Sequence, residues 1–321
     1  MFDETKTLID KLACERSLSL AEWTKAVKGF SPDTAGYAAQ IANKLREEIY
    51  GKDVYIRGLI EISNYCKNNC LYCGIRRGNT NCERYRLSEE EILACCTEGY
   101  ALGFRTFVLQ GGEDPHFTDE VLCGIISEIK RLYPDCAVTL SLGERSEDSY
   151  RKLFAAGADR YLLRHETADE KHYGLLHPAE MSYDNRIECL KALRKIGFQV
   201  GCGMMVGSPY GTAETLAADL KFIEEFSPDM CGIGPFIPHA DTPFAEFPAG
   251  SAELTCYLLS LIRILKPNIL LPATTALATV DPTGREKGLL AGANVVMPNL
   301  SPVTVRAKYS LYNMPLLNKE A

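Results

Sequence analysis

From Val54 onward, short apolar and β-branched runs alternate with longer segments whose apolar residues recur at helical spacing. The runs cover 54–62, 104–110, 136–142, 159–164, 198–206, 229–234, 268–271 and 293–297, and amphipathic segments such as 88–102, 118–132, 182–196 and 212–226 separate most of them. Before Val54 the pattern is helical, with Ser19-Leu20-Ala21-Glu22 as an N-terminal cap and a long segment from Thr34 to Ile49. Gly103, Gly157, Gly197 and Gly292 stand between a helical segment and the next run, where a left-handed C-terminal cap favours glycine. Eight strands, each followed by a helix or loop, predict an α/β fold: a (β/α)8 barrel of the TIM type. The expected division is a helical extension over 1–50 and the barrel over 51–321.

Such a barrel carries its chemistry at the C-terminal ends of its strands. The second run ends in Gln110-Gly111-Gly112-Glu113-Asp114-Pro115, the fourth leads into Arg164-His165-Glu166-Thr167, and the seventh ends in Pro272-Ala273-Thr274-Thr275. Side chains alternate along a strand, so Arg160, Leu162, Arg164 and Glu166 share one face. If that face lines the barrel, two guanidiniums and a carboxylate are enclosed, and enclosed charge needs a partner or a ligand. A self-contained Arg–Glu pair is one solution; an anionic or acceptor-rich ligand, which the guanidinium fork suits, is the other. Thr274 and Thr275 would also serve as helix caps, and Met204 and Met205 as core. His116, His172 and His177 fall in loop-like sequence and receive no role; His239 reads as structural.

Composition narrows the class. Of 321 residues, 46% are hydrophobic and 24% charged, the balance of a soluble globular enzyme. No apolar run approaches the roughly 20 residues of a membrane span, and the N-terminus lacks the basic-then-apolar order of a secretory signal. A net charge of −7 offers no basic footprint for nucleic acid. Thirteen cysteines, an odd number, suit a reducing cytoplasm, and most of those outside the loop described next read as buried packing residues.

The densest chemistry is Ser63-Asn64-Tyr65-Cys66-Lys67-Asn68-Asn69-Cys70-Leu71-Tyr72-Cys73-Gly74, just past the first apolar run. Three thiols at Cys-x3-Cys-x2-Cys spacing can converge on one inorganic centre, and a [4Fe–4S] cluster normally takes four. Three ligands leave one iron open, the arrangement of a catalytic metal site. A zinc site completed by Cys82 is the competing reading, although zinc modules usually split their ligands into separated pairs.

The loop, with aromatic Tyr72 before its third cysteine, resembles that of the radical S-adenosylmethionine (SAM) enzymes. Beyond it, Leu109 to Pro115, Val138 to Glu144, Asp159 to Thr167, Met230 to His239, Pro272 to Ala276 and Gly292 to Asn299 resemble the HydE-type [FeFe]-hydrogenase maturases of that superfamily. The resemblance implies two cofactors, a [4Fe–4S] cluster on Cys66, Cys70 and Cys73, and SAM held by Tyr72, Gln110, Gly111, Glu166, Arg186 and Met230. It also implies a substrate end lined by Thr139, Arg160, Arg164, Thr274 and Thr275, with Met297 and Tyr309 nearby. The implied substrate is a small Fe(CO)2(CN)–cysteine complex on the way to the hydrogenase di-iron centre, and an electron donor and companion maturases are the implied partners. Some relatives hold a second cluster on C-terminal cysteines; no cysteine follows Cys256 here, so one cluster is expected. The alternatives are a radical SAM enzyme acting on an organic substrate, as in methylornithine or biotin synthesis, and a non-catalytic iron–sulfur or zinc protein.

Overall fold

The computed structural model describes residues 2–313. Ten short strands build the barrel wall: β1 (Tyr55–Ile56), β2 (Gly58–Ser63), β3 (Thr106–Gly111), β4 (Ala137–Ser141), β5 (Arg160–Leu162), β6 (Gln199–Cys202), β7 (Met205–Val206), β8 (Met230–Cys231), β9 (Gly234–Pro235) and β10 (Val295–Val296). A six-stranded parallel sheet runs β2-β3-β4-β5-β6-β8. Parallel single-residue bridges continue it from Met230 to Leu270 and from Pro272 to Val295. The β1–β10 pair and a bridge from Leu59 to Asn299 close the ring. The eight predicted runs are therefore the eight staves, all parallel.

The ladders are shorter than the apolar runs, for local reasons. The first stave divides because β1 bonds one neighbour and β2 the other. The fifth breaks at Gly203, where a Cβ would overlap the carbonyl oxygen of Gly232. The fourth stops at Leu162, ahead of a turn in which Glu166 takes a φ of 66°. Ile60, Ile62, Phe107, Leu109, Val138, Leu140, Tyr161 and Val200 point outward and are fully buried under the helices. Register then turns Leu59, Val108, Thr139 and Arg160 inward together.

The helices start where side-chain caps allow. Ser19 with Glu22, Ser31 with Thr34, Ser88 with Glu91 and Thr212 with Thr215 form reciprocal caps. Gly103, Gly157, Gly197 and Gly292 all have φ between 94° and 113°, as their junction positions require. The first three helices, Phe2–Glu15, Leu20–Lys28 and Pro32–Tyr50, lie against the barrel helices Ala213–Phe226 and Ala252–Leu265. Trp23 is fully buried there and its Nε1 donates to Glu224 Oε2 at 2.9 Å. Among the described residues, no helix is long and apolar enough to cross a membrane. The stretch after Asn313, on which the one-cluster expectation partly rests, lies outside the described residues.

Candidate active site at the barrel mouth

The cysteine loop leaves β2 at Ser63 with no regular structure of its own, so its shape is set by hydrogen bonds to four other segments. Lys67 N–H donates to Glu113 O (2.9 Å), Leu71 N–H to Leu176 O (3.0 Å) and Gly74 N–H to Leu311 O (2.8 Å). The Asn64 amide donates to Glu83 O and Lys308 O at 2.8 and 2.7 Å. The Arg84 guanidinium gathers the carbonyls of Ile75, Arg76 and Asn79. Gly112 makes the approach possible, since a Cβ there would overlap Tyr65 O and lie 2.7 Å from Cys66 Cβ. Gly111 is roomier, with its nearest contact at 3.2 Å.

Burial raises all three thiol pKa values, and the neighbouring cysteines raise Cys70 and Cys73 further, Cys73 to about 12. Without a metal these groups are protonated; a metal would replace the protons and relieve the burial cost. Thiols sharing one zinc must all lie about 2.3 Å from a common point. Among the described residues no three His, Cys, Asp or Glu side chains converge that way, and Cys82 turns aside to the Asn64 amide at 3.5 Å. The donor set and its spacing fit the larger cluster.

Glu166 faces the loop from the end of the fourth stave, almost wholly buried, with Oε2 lacking any hydrogen bond among the described residues. Arg164 Nη2 comes within 3.3 Å of that oxygen, an ion-pair distance, yet neither atom is aligned to bond the other. The two form an ion pair whose facing atoms have no hydrogen bond among the described residues. Arg186 is held at the same end by Glu144 and by the carbonyl oxygen of Arg164, to which its Nη1 donates at 2.7 Å. The buried Tyr173 hydroxyl also lacks a partner among the described residues. Unpaired donors and an unpaired carboxylate oxygen beside three thiols fit a zwitterionic amino-acid group such as the methionyl end of SAM.

Tyr72 donates to, or accepts from, His177 Nε2 at 3.2 Å. His177, given no role from sequence, is buried and its pKa falls to about 4, so it is neutral. Gln110, one residue before the end of β3, lies beside Glu61, its register partner on β2.

Below lies a void of about 30 Å³ lined by Arg57, Thr139, Leu162, Met230, Met297 and neighbouring apolar residues. Thr139 Oγ1 is buried without a partner among the described residues. Thr274 occupies the N-cap position of its helix, yet its hydroxyl caps nothing and is likewise unpartnered; Thr275 begins that helix, half-buried. Met230 lies with this group, its sulfur accepting from Arg57 Nη1 at 3.0 Å. The two arginines of the fourth stave are also apart: Arg160 donates to Gln199 Oε1 (2.6 Å) and Thr106 Oγ1 (3.3 Å) at the lower end, whereas Arg164 is at the mouth. Tyr309, almost fully buried, belongs to the C-terminal segment that crosses the cysteine loop.

Sequence reasoning passed over Arg57 and Glu61. Both interrupt the apolar run 54–62 at inward-facing positions, which is the signal that could have found them. Burial, then Arg160, lowers the Arg57 pKa to about 10; burial raises Glu61 to about 7 against the Asn299 amide, which donates to it at 2.9 Å. A larger cavity of about 300 Å³ lies outside the barrel, between Val27–Phe30 and helix Ala213–Phe226, away from the cysteines.

Comparison with known proteins agrees with this geometry. A profile of the Radical SAM superfamily matches residues 60–223. The chain is 48% identical over 273 residues to the [FeFe] hydrogenase maturase subunit HydE of Thermotoga maritima, covering 85% of this chain and 78% of that one. It is 30% identical over 266 residues to the 3-methylornithine synthase of Methanosarcina barkeri, covering 81% and 73%. The crystal structure of methylornithine synthase (PylB) superposes with a TM-score of 0.81 at 26% identity, over 92% of this chain and 86% of that one. Radical SAM enzymes use a [4Fe–4S] cluster and SAM, the two groups that the mouth of this barrel fits. The chain belongs to the radical SAM superfamily and, within it, to the family of HydE-type [FeFe]-hydrogenase maturases.

Proposed function

We propose that this chain uses SAM to act on a small iron complex carrying carbon monoxide, cyanide and cysteine, in assembly of the di-iron centre of [FeFe]-hydrogenase. The observation that carries the reading is the barrel interior below the SAM end. Arg57 and Arg160 make no ion pair among the described residues, and the Thr139 and Thr274 hydroxyls have no partner. Such a lining suits a ligand that is anionic and rich in acceptors, as a cyanide nitrogen or a cysteine carboxylate would be. It suits an amine-bearing organic substrate less well, because an ammonium group would face two guanidiniums.

The [4Fe–4S] cluster, when bound at Cys66, Cys70 and Cys73, supplies the electron that splits SAM into methionine and a 5′-deoxyadenosyl radical. The chain's own part is orientation and enclosure. Glu166 and Arg186 would hold SAM at the mouth, and Thr139, Arg57 and Arg160 would hold the iron complex beneath it. The C-terminal segment contributes to the wall that keeps water out, with Leu311 O and Lys308 O bonded to the cysteine loop. A cytoplasmic setting, an electron donor and companion maturases go with this reading.

The test is anaerobic turnover of reconstituted enzyme with reductant, SAM and either the iron complex or an amino acid. The iron complex should raise 5′-deoxyadenosine formation well above the uncoupled background. Stimulation by an amino acid and none by the iron complex would overturn the proposal.

A further inference from the structure

The turn from Arg164 to Ala168 carries Glu166, and Glu166 is one of four non-glycine residues with positive φ among those described. For a residue with a Cβ this conformation is disfavoured and persists only where the surroundings impose it. On one side the Glu166 N–H donates to Gly203 O at 3.0 Å. The N–H of Gly203 donates back to His165 Nδ1 at 3.3 Å, which leaves the His165 proton on Nε2. That nitrogen faces Asp219 Oδ1 at 3.3 Å, within ion-pair range but too poorly aligned to count as a hydrogen bond. On the other side of Glu166, the Ala168 N–H donates to the same Asp219 oxygen. His165 is fully buried and Asp219 is 2% exposed, so water competes for neither.

From this arrangement we infer that Asp219, on the helix Ala213–Phe226 behind the barrel wall, is a positioning residue for SAM. One carboxylate oxygen bonds the Ala168 N–H and lies 3.3 Å from the His165 ring, and so brackets the strained residue between them, whose carboxylate faces the cysteine loop. Asp219 touches neither cofactor nor substrate. It sets the orientation of Glu166 and, through the same turn, the Arg164 carbonyl that binds Arg186. A buried aspartate on an outer helix is otherwise costly, and the site already described makes no other use of it. The inference rests on the radical SAM reading of the site, not on the identity of the substrate.

The experiment uses cluster-reconstituted enzyme and measures iron per chain together with SAM affinity by equilibrium dialysis. Asp219→Asn keeps an oxygen for the Ala168 N–H and should bind SAM within about threefold of the unmodified enzyme. Asp219→Ala should keep full iron, because the cysteine loop is anchored elsewhere, yet bind SAM roughly tenfold to a hundredfold more weakly. If Asp219→Ala does not yield folded protein, His165→Asn removes the ring that links Gly203 to Asp219 and should weaken SAM in the same direction without loss of iron. Unchanged SAM affinity in the folded alanine variant, or in His165→Asn where that variant stands in for it, would overturn the inference. So would loss of iron, or an asparagine variant as impaired as alanine. If the unmodified enzyme bound no SAM, the radical SAM reading itself would fail, which is a different result.

Discussion

Glu61 offers the sharpest quantitative test of the barrel interior. Its side chain points inward from β2, 8% exposed, with one oxygen accepting from Asn299 and its titration raised from 4.5 to about 7 by burial. An acid whose folded pKa is raised binds a proton in the folded state that the unfolded chain has already released. Stability is therefore undiminished below about pH 4.5, falls as pH rises toward 7, and stays reduced above it. A shift from 4.5 to about 7 corresponds to about 3 kcal/mol. Glu61→Gln keeps the acceptor for Asn299 and removes the charge. The variant should match the unmodified chain near pH 4.5 and exceed it by up to about 3 kcal/mol at pH 8. His177, lowered to about 4 by burial, acts in the opposite sense, with stability lost as pH falls through 6.5 toward 4. It is common to both proteins, so it cancels in the difference. The assay is urea unfolding at a series of pH values on chain freed of its cluster, whose charge would otherwise add to the field. A difference that does not change between pH 4.5 and 8 would refute the reasoning, because an exposed carboxylate behaves that way.

Cys70→Ala should abolish both cluster iron and SAM cleavage, whereas alanine at Cys82, Cys95 or Cys256 should leave iron per chain unchanged; loss of iron from any of the latter would mean that it is a ligand. Gly112→Ala places a methyl group against Tyr65 O and Cys66 Cβ, so iron loading should fall while the barrel's circular dichroism stays the same. Full iron loading in that variant would show that the loop can retreat. Arg160→Met should spare iron content and SAM affinity, since Arg160 lies at the lower end of the barrel, but lower turnover of the true substrate by a factor corresponding to roughly 2–5 kcal/mol. Unaltered turnover would return Arg160 to a purely structural role with Gln199.

What the sequence determined by itself is what local physics encodes. Period-2 and period-3.6 patterning gave the eight staves and the helices between them, and the glycines at 103, 157, 197 and 292 marked helix ends because only a residue without Cβ takes that φ freely. Spacing within one loop was enough to single out Cys66, Cys70 and Cys73. The tertiary structure decided whatever depends on residues distant in the chain. Arg57 and Glu61 read locally as interruptions of an apolar strand; closure of the ring makes them a buried cation and a carboxyl raised to about 7, since burial acts only once the other staves enclose them. Arg160 and Arg164 share a face in sequence, yet Arg160 begins β5 on the floor with Gln199, whereas Arg164 lies past the end of that strand, at the mouth with Glu166. Asp219 lies 53 positions after Glu166 in an ordinary amphipathic helix, and only the packing of that helix on the barrel wall sets its carboxylate against His165 and Ala168.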